Sequence, residues 1–476
     1  MNVKGKRSHL QTNSAYYLTI LVAIASLILL GASSLRHFLL QSSALDLAAF
    51  DQWVYLLSQD LPPISSFFNV HVLGDHAAFI LYPVSLLYRI YADVHWLLLV
   101  QAIALAIGAI PLYALSLQSG LSHLEAKAIS LCYVLYPAIF NSNFYADFRP
   151  EAIAVPGLLW AMWAGLAQKP WQLVASVALV LSCKERLSLT VIALGIWFCL
   201  ERRRRYGWGC IAAGIIWCGL TMGYIIPLLR NGNPSGLEFY GSLGGSLREI
   251  VVNILKNPTI LLVRLFSFDS LGYCLLLVAP IILGLHWRTM AVLIPAIPML
   301  LLNVLSDYAP QRDLIHHYSL PIFPFLFVWL VRSQALYRKR QQRQWLKPRW
   351  LIIWAAIAFL VLAKYDYFFT RYLSHLSNLP SVYAAISQVS PQPGGVLTAS
   401  HLAPHLSHRP LIHAFSSSLP NLTQLQQYDY ILLDKRHFKP VNASTIEQLT
   451  NLLQSTPQFQ LIYTQNAVFL FKKLPS

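Results

Sequence analysis

Residues 42–91, SSALDLAAFDQWVYLLSQDLPPISSFFNVHVLGDHAAFILYPVSLLYRIY, follow the first strongly apolar run of the chain. Charged residues make up only 11% of the 476 residues, yet this stretch collects several carboxylates and imidazoles. They belong to Asp46, Asp51, Asp60, His71, Asp75 and His76. Ionisable groups are costly beside a membrane-spanning segment and are usually functional there. The stretch therefore predicts a functional surface next to a membrane.

The composition predicts a polytopic membrane protein. Hydrophobic residues make up 56% of the chain, which is more than one soluble core buries, and several apolar runs are long enough to span hydrocarbon. We expect an all-α membrane domain of about eleven transmembrane helices. The net charge of +16 comes from Lys and Arg bunched in short connectors. This pattern sets membrane orientation and argues against nucleic-acid binding.

The positive-inside rule assigns a side of the membrane to each part of the chain. We expect a cytoplasmic N-terminus at residues 1–14, a transmembrane domain at 15–369 and an extracytoplasmic domain at 370–476. Residues 77–91 are apolar but short, so we expect them to dip into the outer interface rather than to cross. Residues 246–266 have helical apolar spacing and are expected along the same interface.

The C-terminal domain has an ordinary polar composition. The runs VLTAS, YDYILLD, FQLIYT and AVFLFKK have the pattern of strands, and STIEQLTNLLQS has that of a capped amphipathic helix. These runs predict a small α/β domain. The domain contains no glycine-rich phosphate loop.

Once sides are assigned, the ionisable residues of the loops concentrate on the outer face. Only Glu125 and Glu201 are acidic residues that flank the inner ends of predicted spans. The candidate catalytic residues on the outer face are Asp46, Asp51 and Asp147. The candidate substrate-binding residues are His71, Asp75, His76, Arg149, Glu151, Lys184, Glu185, Arg186, Arg312, His316, His317 and Tyr318.

This mixture of carboxylates and cations fits the transfer of a sugar from a lipid-linked phosphate donor. A carboxylate takes a proton from the acceptor or holds a metal, and cations stabilise the leaving phosphate. Asp46 is the candidate base, or the ligand of a divalent metal. Phosphate favours several cationic donors. The candidate phosphate partners are Lys184, Arg186, Arg312 and either His316 or His317.

Each assignment has a structural alternative. Asp46 is also placed to cap a helix. Asp51 lies roughly 140° further round a helix and would not share a face with Asp46. The residues at 184–186 can be a charged turn that reaches water, and His316 and His317 can be ordinary interfacial residues.

The order of these features resembles the GT-C superfamily of membrane glycosyltransferases, which has an early Asp in the first outer loop, two interfacial helices, an Asp turn and then a Lys turn. More closely, LDLAAFDQ, GDHAAFILYPVSLLYRIY, FRPEAIAVP, CKER and HHYSLPIFP are similar to a bacterial membrane family that carries domain of unknown function 2079. The likeness covers residues 45–325. ASHLAPHLSHRP, at 399–410, resembles the outer tail of the same family.

The resemblance implies roles for particular positions. It puts the catalytic Asp at Asp46, with Asp51 as the second choice. It also puts the acidic residue of the second outer turn at Asp147 and the lysine near the donor phosphate at Lys184.

The sequence departs from the family pattern at two positions. The family usually has His at the position of Arg149 and an acidic residue at the position of Arg186. Both changes add positive charge, which suits a phosphate better than a metal.

We therefore expect an integral glycosyltransferase of the bacterial inner membrane. It would transfer a sugar from a polyprenyl-phosphate donor, held in the membrane lipid, to an extracytoplasmic acceptor that the sequence leaves unspecified. One alternative is a transporter or lipid flippase, which would place ionisable residues near the bilayer midplane. The other is a non-catalytic membrane scaffold, which would tolerate the loss of Asp46.

Overall fold

The computed structural model describes residues 3–230, 234–340, 347–415, 419–435 and 440–475. The chain forms two compact units, and each is assembled from separate stretches. The first unit consists of Met1–Gly31, Leu73–Ile80 and Leu99–Lys364. The second unit consists of Ala32–Val72, Leu81–Leu98 and Tyr365–Ser476. The domain boundaries expected from the sequence stay predictions.

The first unit is helical. Its α-helices, some of which extend beyond it, are Val3–Phe38, Val72–His76, His95–Ile107, Ala109–Gln118, His123–Val134, Pro137–Tyr145, Pro150–Leu166, Pro170–Cys183, Leu187–Leu200, Arg204–Leu220, Ile226–Leu229, Leu247–Lys256, Thr259–Leu265, Phe268–Val278, Ile297–Leu305, Phe323–Lys339 and Pro348–Leu362. Its 3-10 helices are Leu237–Tyr240, Ala279–Gly284, Trp287–Ala296, Ala309–Arg312 and His317–Ser319, and Thr221–Ile225 is a π-helix. The helical spacing predicted at 246–266 is confirmed.

Within the described residues, five segments are long and apolar enough to cross a membrane. They are Asn13–Phe38, His95–Gln118, Arg204–Leu229, Trp287–Leu305 and Pro348–Thr370. The pair Thr259–Leu265 and Phe268–Gly284, bent by 52°, makes a sixth when counted as one span. The predicted class, a helical membrane protein with a small C-terminal α/β region, is confirmed. The number of eleven spans stays a prediction.

Proline and a left-handed residue shape the turn that precedes the helix Pro150–Leu166. Pro150 occupies the first turn of this helix, where the missing amide hydrogen costs nothing and the fixed φ favours the helix. Asp147, three residues earlier, has a φ of 53°. Left-handed backbone is uncommon outside glycine, although Asp adopts it more readily than most residues. The chain therefore reverses sharply just before the helix begins.

Close backbone packing fixes the hairpin formed by Leu187–Leu200 and Arg204–Leu220. A Cβ atom at Gly195 would lie 2.5 Å from the carbonyl oxygen of Gly207, so only glycine fits at this crossing. Small residues allow helix backbones in membranes to approach in this way. The hairpin gives a rigid support to the charged turn at 184–186 that precedes it.

The second unit combines short helices with a sheet. Its helical elements are the π-helix Ala44–Ala48, the α-helices Ala49–Ser58, Leu81–Ile90, Asp366–Thr370, Leu379–Val389, Leu422–Leu425 and Pro440–Ser455, and the 3-10 helices Tyr372–Asn378 and Ala403–His405. Its strands are Ile64–Ser65, Val70–His71, Val396–Thr398, Ile412–Ala414, Tyr430–Asp434, Phe459–Gln465 and Val468–Lys473.

The five-stranded sheet is mixed. Val396–Thr398 pairs in parallel with both Ile412–Ala414 and Tyr430–Asp434. Val468–Lys473 then pairs antiparallel with Tyr430–Asp434 and with Phe459–Gln465, which forms one edge. The four runs predicted as strands and the predicted C-terminal helix are confirmed, whereas the short strand Ile412–Ala414 was not predicted.

Candidate functional site

Five separate stretches of the first unit bring ionisable side chains together. We call this group the acid–base cluster, and it comprises Asp75, His76, Arg149, Glu151, Lys184, Glu185, Arg186, Arg230 and His317. Most of these side chains are buried, including those of Glu151, Lys184 and Glu185. Charges are retained inside a protein only when they are paired. The cluster therefore consists of linked ion pairs.

The turn at 147–149 delivers Glu151 to the cluster. Gln101, which is buried, fixes this turn with both ends of its side-chain amide. Its Nε2 donates to the carbonyl oxygen of Asp147, and its Oε1 accepts from the amide of Arg149 at 2.8 Å. These bonds hold the left-handed turn, so that Glu151 lies in the first turn of the helix that follows.

Glu151 and Lys184 form the central ion pair. The Nζ atom of Lys184 lies 2.5 Å from Oε1 of Glu151, and Nε2 of His317 lies 3.9 Å from the same oxygen. Burial alone would raise the pKa of the Glu151 carboxyl, but the charges of Lys184, His76 and Arg149 outweigh burial and hold the pKa at about 2. Glu151 is therefore ionised at neutral pH.

A second chain of contacts runs through His76. Its Nδ1 lies 3.4 Å from Oε2 of Glu185, and its Nε2 lies 3.5 Å from Oδ2 of Asp75. Asp75 in turn contacts Nη1 of Arg230 at 3.2 Å. Burial raises the pKa of the Glu185 carboxyl, but His76 and Arg186 outweigh burial and lower the pKa below its ordinary value. His76 thus links two carboxylates.

Arg186 is held between Glu185 and the loop that follows residue 233. Its Nε donates to Oε1 of Glu185 at 3.2 Å, and its Nη2 donates to the carbonyl oxygen of Ser235 at 2.5 Å. Gly236 has a φ of 78°, and a Cβ atom there would collide with the guanidinium. A glycine is therefore required for both conformation and space.

Several buried atoms of the cluster have unused hydrogen-bonding capacity. Within the described residues, Oε2 of Glu151 and Nδ1 of His317 make no hydrogen bond. Burial, with the charges of Arg149 and Lys184, lowers the pKa of His317 well below its ordinary value. The imidazole is therefore neutral, and its ring nitrogens can donate or accept depending on the tautomer. Buried polar atoms of this kind are normally satisfied by water or a ligand.

Two cavities meet at Arg186. A narrow polar cavity of ≈30 Å³ is lined by Glu151, Lys184, Arg186, His317 and Tyr318 among others. A larger cavity of ≈330 Å³ is lined by Glu185, Arg186 and mostly apolar residues. The apolar lining includes Leu189, Met222, Leu237, Leu243, Ile250 and Leu302. Arg186 and Leu302 border both cavities, so the arrangement can hold a molecule with an anionic head and an apolar chain.

Asp46 and Asp51 belong to the second unit. Asp46 lies in the π-helix Ala44–Ala48 and is half-buried, and its Oδ2 accepts from Oγ of Ser43 at 2.7 Å. Ser43, not Asp46, is the N-cap residue, because its side chain accepts from the amide of Asp46. Asp51 is fully buried in the following helix. His71, on the short strand Val70–His71, also belongs to this unit.

The loop at 307–318 divides the remaining predicted residues. His317 and Tyr318 line the polar cavity. Arg312 instead donates to the carbonyl oxygens of Asn303 and Ser306, at the end of the preceding helix. His316 contacts Asp313 at 2.8 Å. The ring of His316 also packs edge-on against that of Tyr145, with centroids 5.1 Å apart.

Within the residues described, no group of three or more His, Cys, Asp and Glu side chains is arranged to hold a metal ion. We therefore derive no step through a metal at Asp46.

Sequence reasoning missed Gln101, Arg230 and Gly236. Gln101 lies inside an apolar helix, where a lone amide gives a weak signal. Arg230 stands at the end of an apolar run, where an arginine is typical of the signals that set the orientation of a transmembrane helix. Gly236 is one of 22 glycines, and only its positive φ marks it out.

Solved structures of two other proteins resemble this fold. ArnT from Cupriavidus metallidurans bound to undecaprenyl phosphate matches with a TM-score of 0.55 and 12% identity over 97% of this chain and 98% of that one. The apo form of the same protein matches with a TM-score of 0.53 and 11% identity over 96% and 98%. The oligosaccharyltransferase of Archaeoglobus fulgidus gives a TM-score of 0.48 and 12% identity over 97% and 74%.

The likeness to ArnT extends over nearly the whole of both chains, so the fold is GT-C-like. No curated protein sequence matches this chain significantly. The model of a family of predicted membrane proteins, domain of unknown function 2079, matches residues 36–470. The match covers most of the chain, which therefore belongs to the family of predicted membrane proteins with domain of unknown function 2079.

Proposed function

We propose that this protein transfers a sugar from a polyprenyl-phosphate donor to an extracytoplasmic acceptor. The observation that carries the proposal is the position of Arg186, which borders both the polar cavity of the acid–base cluster and the larger apolar cavity. A lipid phosphate needs this combination, because its head is anionic and its tail is apolar. The GT-C-like fold supports the same class of reaction.

The charges of the cluster favour a phosphate. Arg149, Lys184, Arg186 and Arg230 are cations, and they exceed by one the carboxylates Asp75, Glu151 and Glu185. Guanidinium and ammonium groups form strong charge-assisted hydrogen bonds with phosphate oxygens. Lys184 and Arg186 are the proposed donors to the phosphate, since both line the polar cavity. They would stabilise the negative charge that develops as the phosphate leaves.

The polar cavity is too narrow for a phosphate without rearrangement. Its volume of ≈30 Å³ is about that of one water molecule in the liquid. A phosphate must therefore enter by displacing part of the Lys184–Glu151 contact. Glu151 would then compete with the phosphate for the ammonium and help the product to leave.

Asp46 is the proposed general base. In the reaction, a nucleophilic atom of the acceptor attacks the anomeric carbon of the sugar, and the bond between that carbon and the phosphate oxygen breaks. The bonding electron pair stays on the phosphate, and the proton of the acceptor passes to Asp46. General-base catalysis of this kind contributes about 10²- to 10⁴-fold to a rate. Asp46 is only half-buried, so a substrate can reach its carboxylate.

The solved structure of ArnT supports a polyprenyl donor. ArnT from Cupriavidus metallidurans is bound to undecaprenyl phosphate in the crystal. We propose the same class of lipid carrier for this chain, with the reaction at the outer face of the bacterial inner membrane. The N-terminus is proposed to be cytoplasmic and the C-terminal domain extracytoplasmic.

The test uses purified full-length protein in detergent with a panel of polyprenyl-phosphate sugars. Donor binding and release of polyprenyl phosphate are measured for the wild type, Asp46→Asn, Arg186→Met and the control Arg288→Met. Arg288 is an exposed arginine outside the cluster. We expect Asp46→Asn to bind donor but to lose about 10²- to 10⁴-fold in turnover. We expect Arg186→Met to lose donor affinity and the control to match the wild type.

Two outcomes would count against the proposal. If the wild type bound none of the donors, a glycosyltransferase role would be excluded for this class of carrier. If the wild type bound donors and moved them between leaflets of a vesicle without releasing sugar, the flippase alternative would replace it.

A further inference from the structure

Asp51 in the second unit has a fully satisfied carboxylate. Its Oδ1 accepts from the hydroxyl of Tyr88 at 2.6 Å, and its Oδ2 accepts from Oγ of Ser407 and lies 3.0 Å from Nε2 of His408. The side chain is fully buried. A buried carboxylate with this many donors is held in one place. Asp51 therefore suits a role in positioning.

The neighbouring residue is anchored to the same segment. Gln52 is fully buried, and its Nε2 donates to the carbonyl oxygens of Arg409 at 3.0 Å and of Pro410 at 3.3 Å. Its Oε1 accepts from Oγ of Ser65 and from the amide of Ser66, both at 2.9 Å. Two successive residues of the helix Ala49–Ser58 are thus bound to residues 407–410.

A third anchor lies at the start of the π-helix. The amide of Ala44 donates to Oγ of Ser400 at 3.2 Å. Asp46 lies between this anchor and the pair at Asp51 and Gln52. The π-helix Ala44–Ala48 is a wide turn, a form that is rare in proteins and frequent at functional sites. The local backbone of Asp46 is therefore bracketed by contacts with residues 400–410.

Residues 400–410, which we call the clamp segment, are themselves fixed to the sheet region. The guanidinium of Arg409 donates to the carbonyl oxygens of Leu406, Gly394 and Val389. The ring of His408 stacks on Tyr55, with centroids 4.7 Å apart and planes at 5°. A segment held in this way has few conformations of its own, so it can hold the helix that it contacts.

We propose that the clamp segment of the C-terminal region positions Asp46, and that Asp51, Ser407 and His408 are positioning residues. The inference rests on the proposed function, in which Asp46 is the general base. Small displacements of a catalytic group reduce rates strongly, by about 10²-fold for 1 Å. The C-terminal region then has a role in the reaction although none of its residues touches the reacting atoms.

The test compares His408→Phe and Ser407→Ala with the control Tyr428→Phe in the full-length protein. Phenylalanine keeps the stacking on Tyr55 and removes the nitrogen that faces Asp51. Tyr428→Phe removes a buried hydroxyl of the same domain, which bonds to His413 at 2.7 Å and not to the helix of Asp46. Ser407→Thr keeps the hydroxyl and serves as the rescue variant.

Two quantities are measured: amide hydrogen exchange in peptides covering 44–58, and kcat and KM with a polyprenyl-phosphate sugar. We expect His408→Phe and Ser407→Ala to speed exchange in 44–58 and to leave exchange in 430–434 unchanged. We expect kcat to fall roughly 10- to 100-fold with KM nearly unchanged, because a displaced base impairs proton transfer in the transition state but not binding of the donor. Ser407→Thr and Tyr428→Phe should resemble the wild type.

Unchanged exchange in 44–58 would overturn the inference, and so would faster exchange with wild-type kcat. If His408→Phe fails to fold, the milder Ser407→Ala carries the same test. If the proposed function is wrong, the wild type itself releases no sugar. That result refutes the inference together with the proposed function. Activity of the wild type together with wild-type kcat in both variants refutes the inference alone.

Discussion

The ammonium of Lys184 lies 2.5 Å from Glu151, although 33 positions separate them in the chain and both side chains are buried. One of the two carboxylate oxygens is used by this contact, and the other makes no hydrogen bond within the described residues. In the proposed function, this pair opens and Lys184 exchanges Glu151 for an incoming anion.

Removing the positive charge of Lys184 and removing the negative charge of Glu151 should change the affinity for phosphate in opposite directions. Lys184→Met removes a donor, so we expect the Kd for undecaprenyl phosphate to rise at least tenfold, which corresponds to about 1.4 kcal/mol. Glu151→Gln removes a competing negative charge, so we expect the Kd to fall by a factor of about 3 to 10. Binding is measured by native mass spectrometry in detergent. Weaker binding in both variants would show that Glu151 does not compete with the phosphate.

Acid should weaken the fold through Glu151. Its folded pKa is about 2 and lies below the ordinary value of 4.5, so its stabilising contribution is complete above pH 4.5 and is lost as the pH falls through 2. We expect the Tm of the wild type to fall more steeply between pH 4.5 and 3 than that of Glu151→Gln/Lys184→Met. The double variant removes both charges and avoids an unpaired buried ion. Equal slopes for the two proteins would contradict the assigned pKa.

Gly236→Ala should disturb Arg186. The alanine must adopt a φ of 78°, which costs about 1 kcal/mol or more, and its methyl group must displace the guanidinium. We expect the Kd for undecaprenyl phosphate to rise several-fold. Gly241→Ala is the matched control, because its φ is −55° and the nearest atom to a new Cβ would be 3.7 Å away. An equal effect of the two substitutions would exclude a specific role for Gly236.

Gln101→Leu should destabilise the turn before Pro150. The substitution keeps the size of the side chain but leaves the carbonyl of Asp147 and the amide of Arg149 without their partner. Buried unpaired groups cost about 1–3 kcal/mol each, so we expect a loss of roughly 2–4 kcal/mol, seen as a lower Tm in detergent. Gln172→Leu, at an exposed glutamine, should change stability by less than about 0.5 kcal/mol. A wild-type Tm for Gln101→Leu would mean that the turn does not depend on Gln101.

The sequence predicts the helical membrane class, four strands of the five-stranded sheet and the charged turns because these depend on local composition and periodicity. It does not predict how those turns pair. Asp75 contacts Arg230, which lies 155 positions further along the chain, and Asp51 contacts His408, which lies 357 positions further. Contacts of this kind depend on helix packing and register, for which one sequence carries no direct signal.

Residue type alone also does not distinguish the basic residues of the loop at 307–318. Arg312 and His317 have the same appearance in the sequence, as basic residues in one loop. In the structure Arg312 satisfies carbonyl oxygens at the end of a helix, whereas His317 lines the polar cavity. Only the backbone geometry of the folded loop tells a side chain that binds carbonyl oxygens at a helix end from one that lines a cavity. The catalytic assignment of Asp46 stays a prediction.

The division of the chain into interleaved stretches has a consequence for biosynthesis. Ala32–Val72 leaves the ribosome early, but Tyr365–Ser476, which completes the same unit, comes roughly 290 residues later. At about 5–20 residues per second, the early stretch waits roughly 15–60 s for its partner. During that interval the helix of Asp46 lacks the clamp segment, and its buried surface is open to proteases and to other chains. Truncation near the C-terminus should therefore act on the earliest loop of the protein.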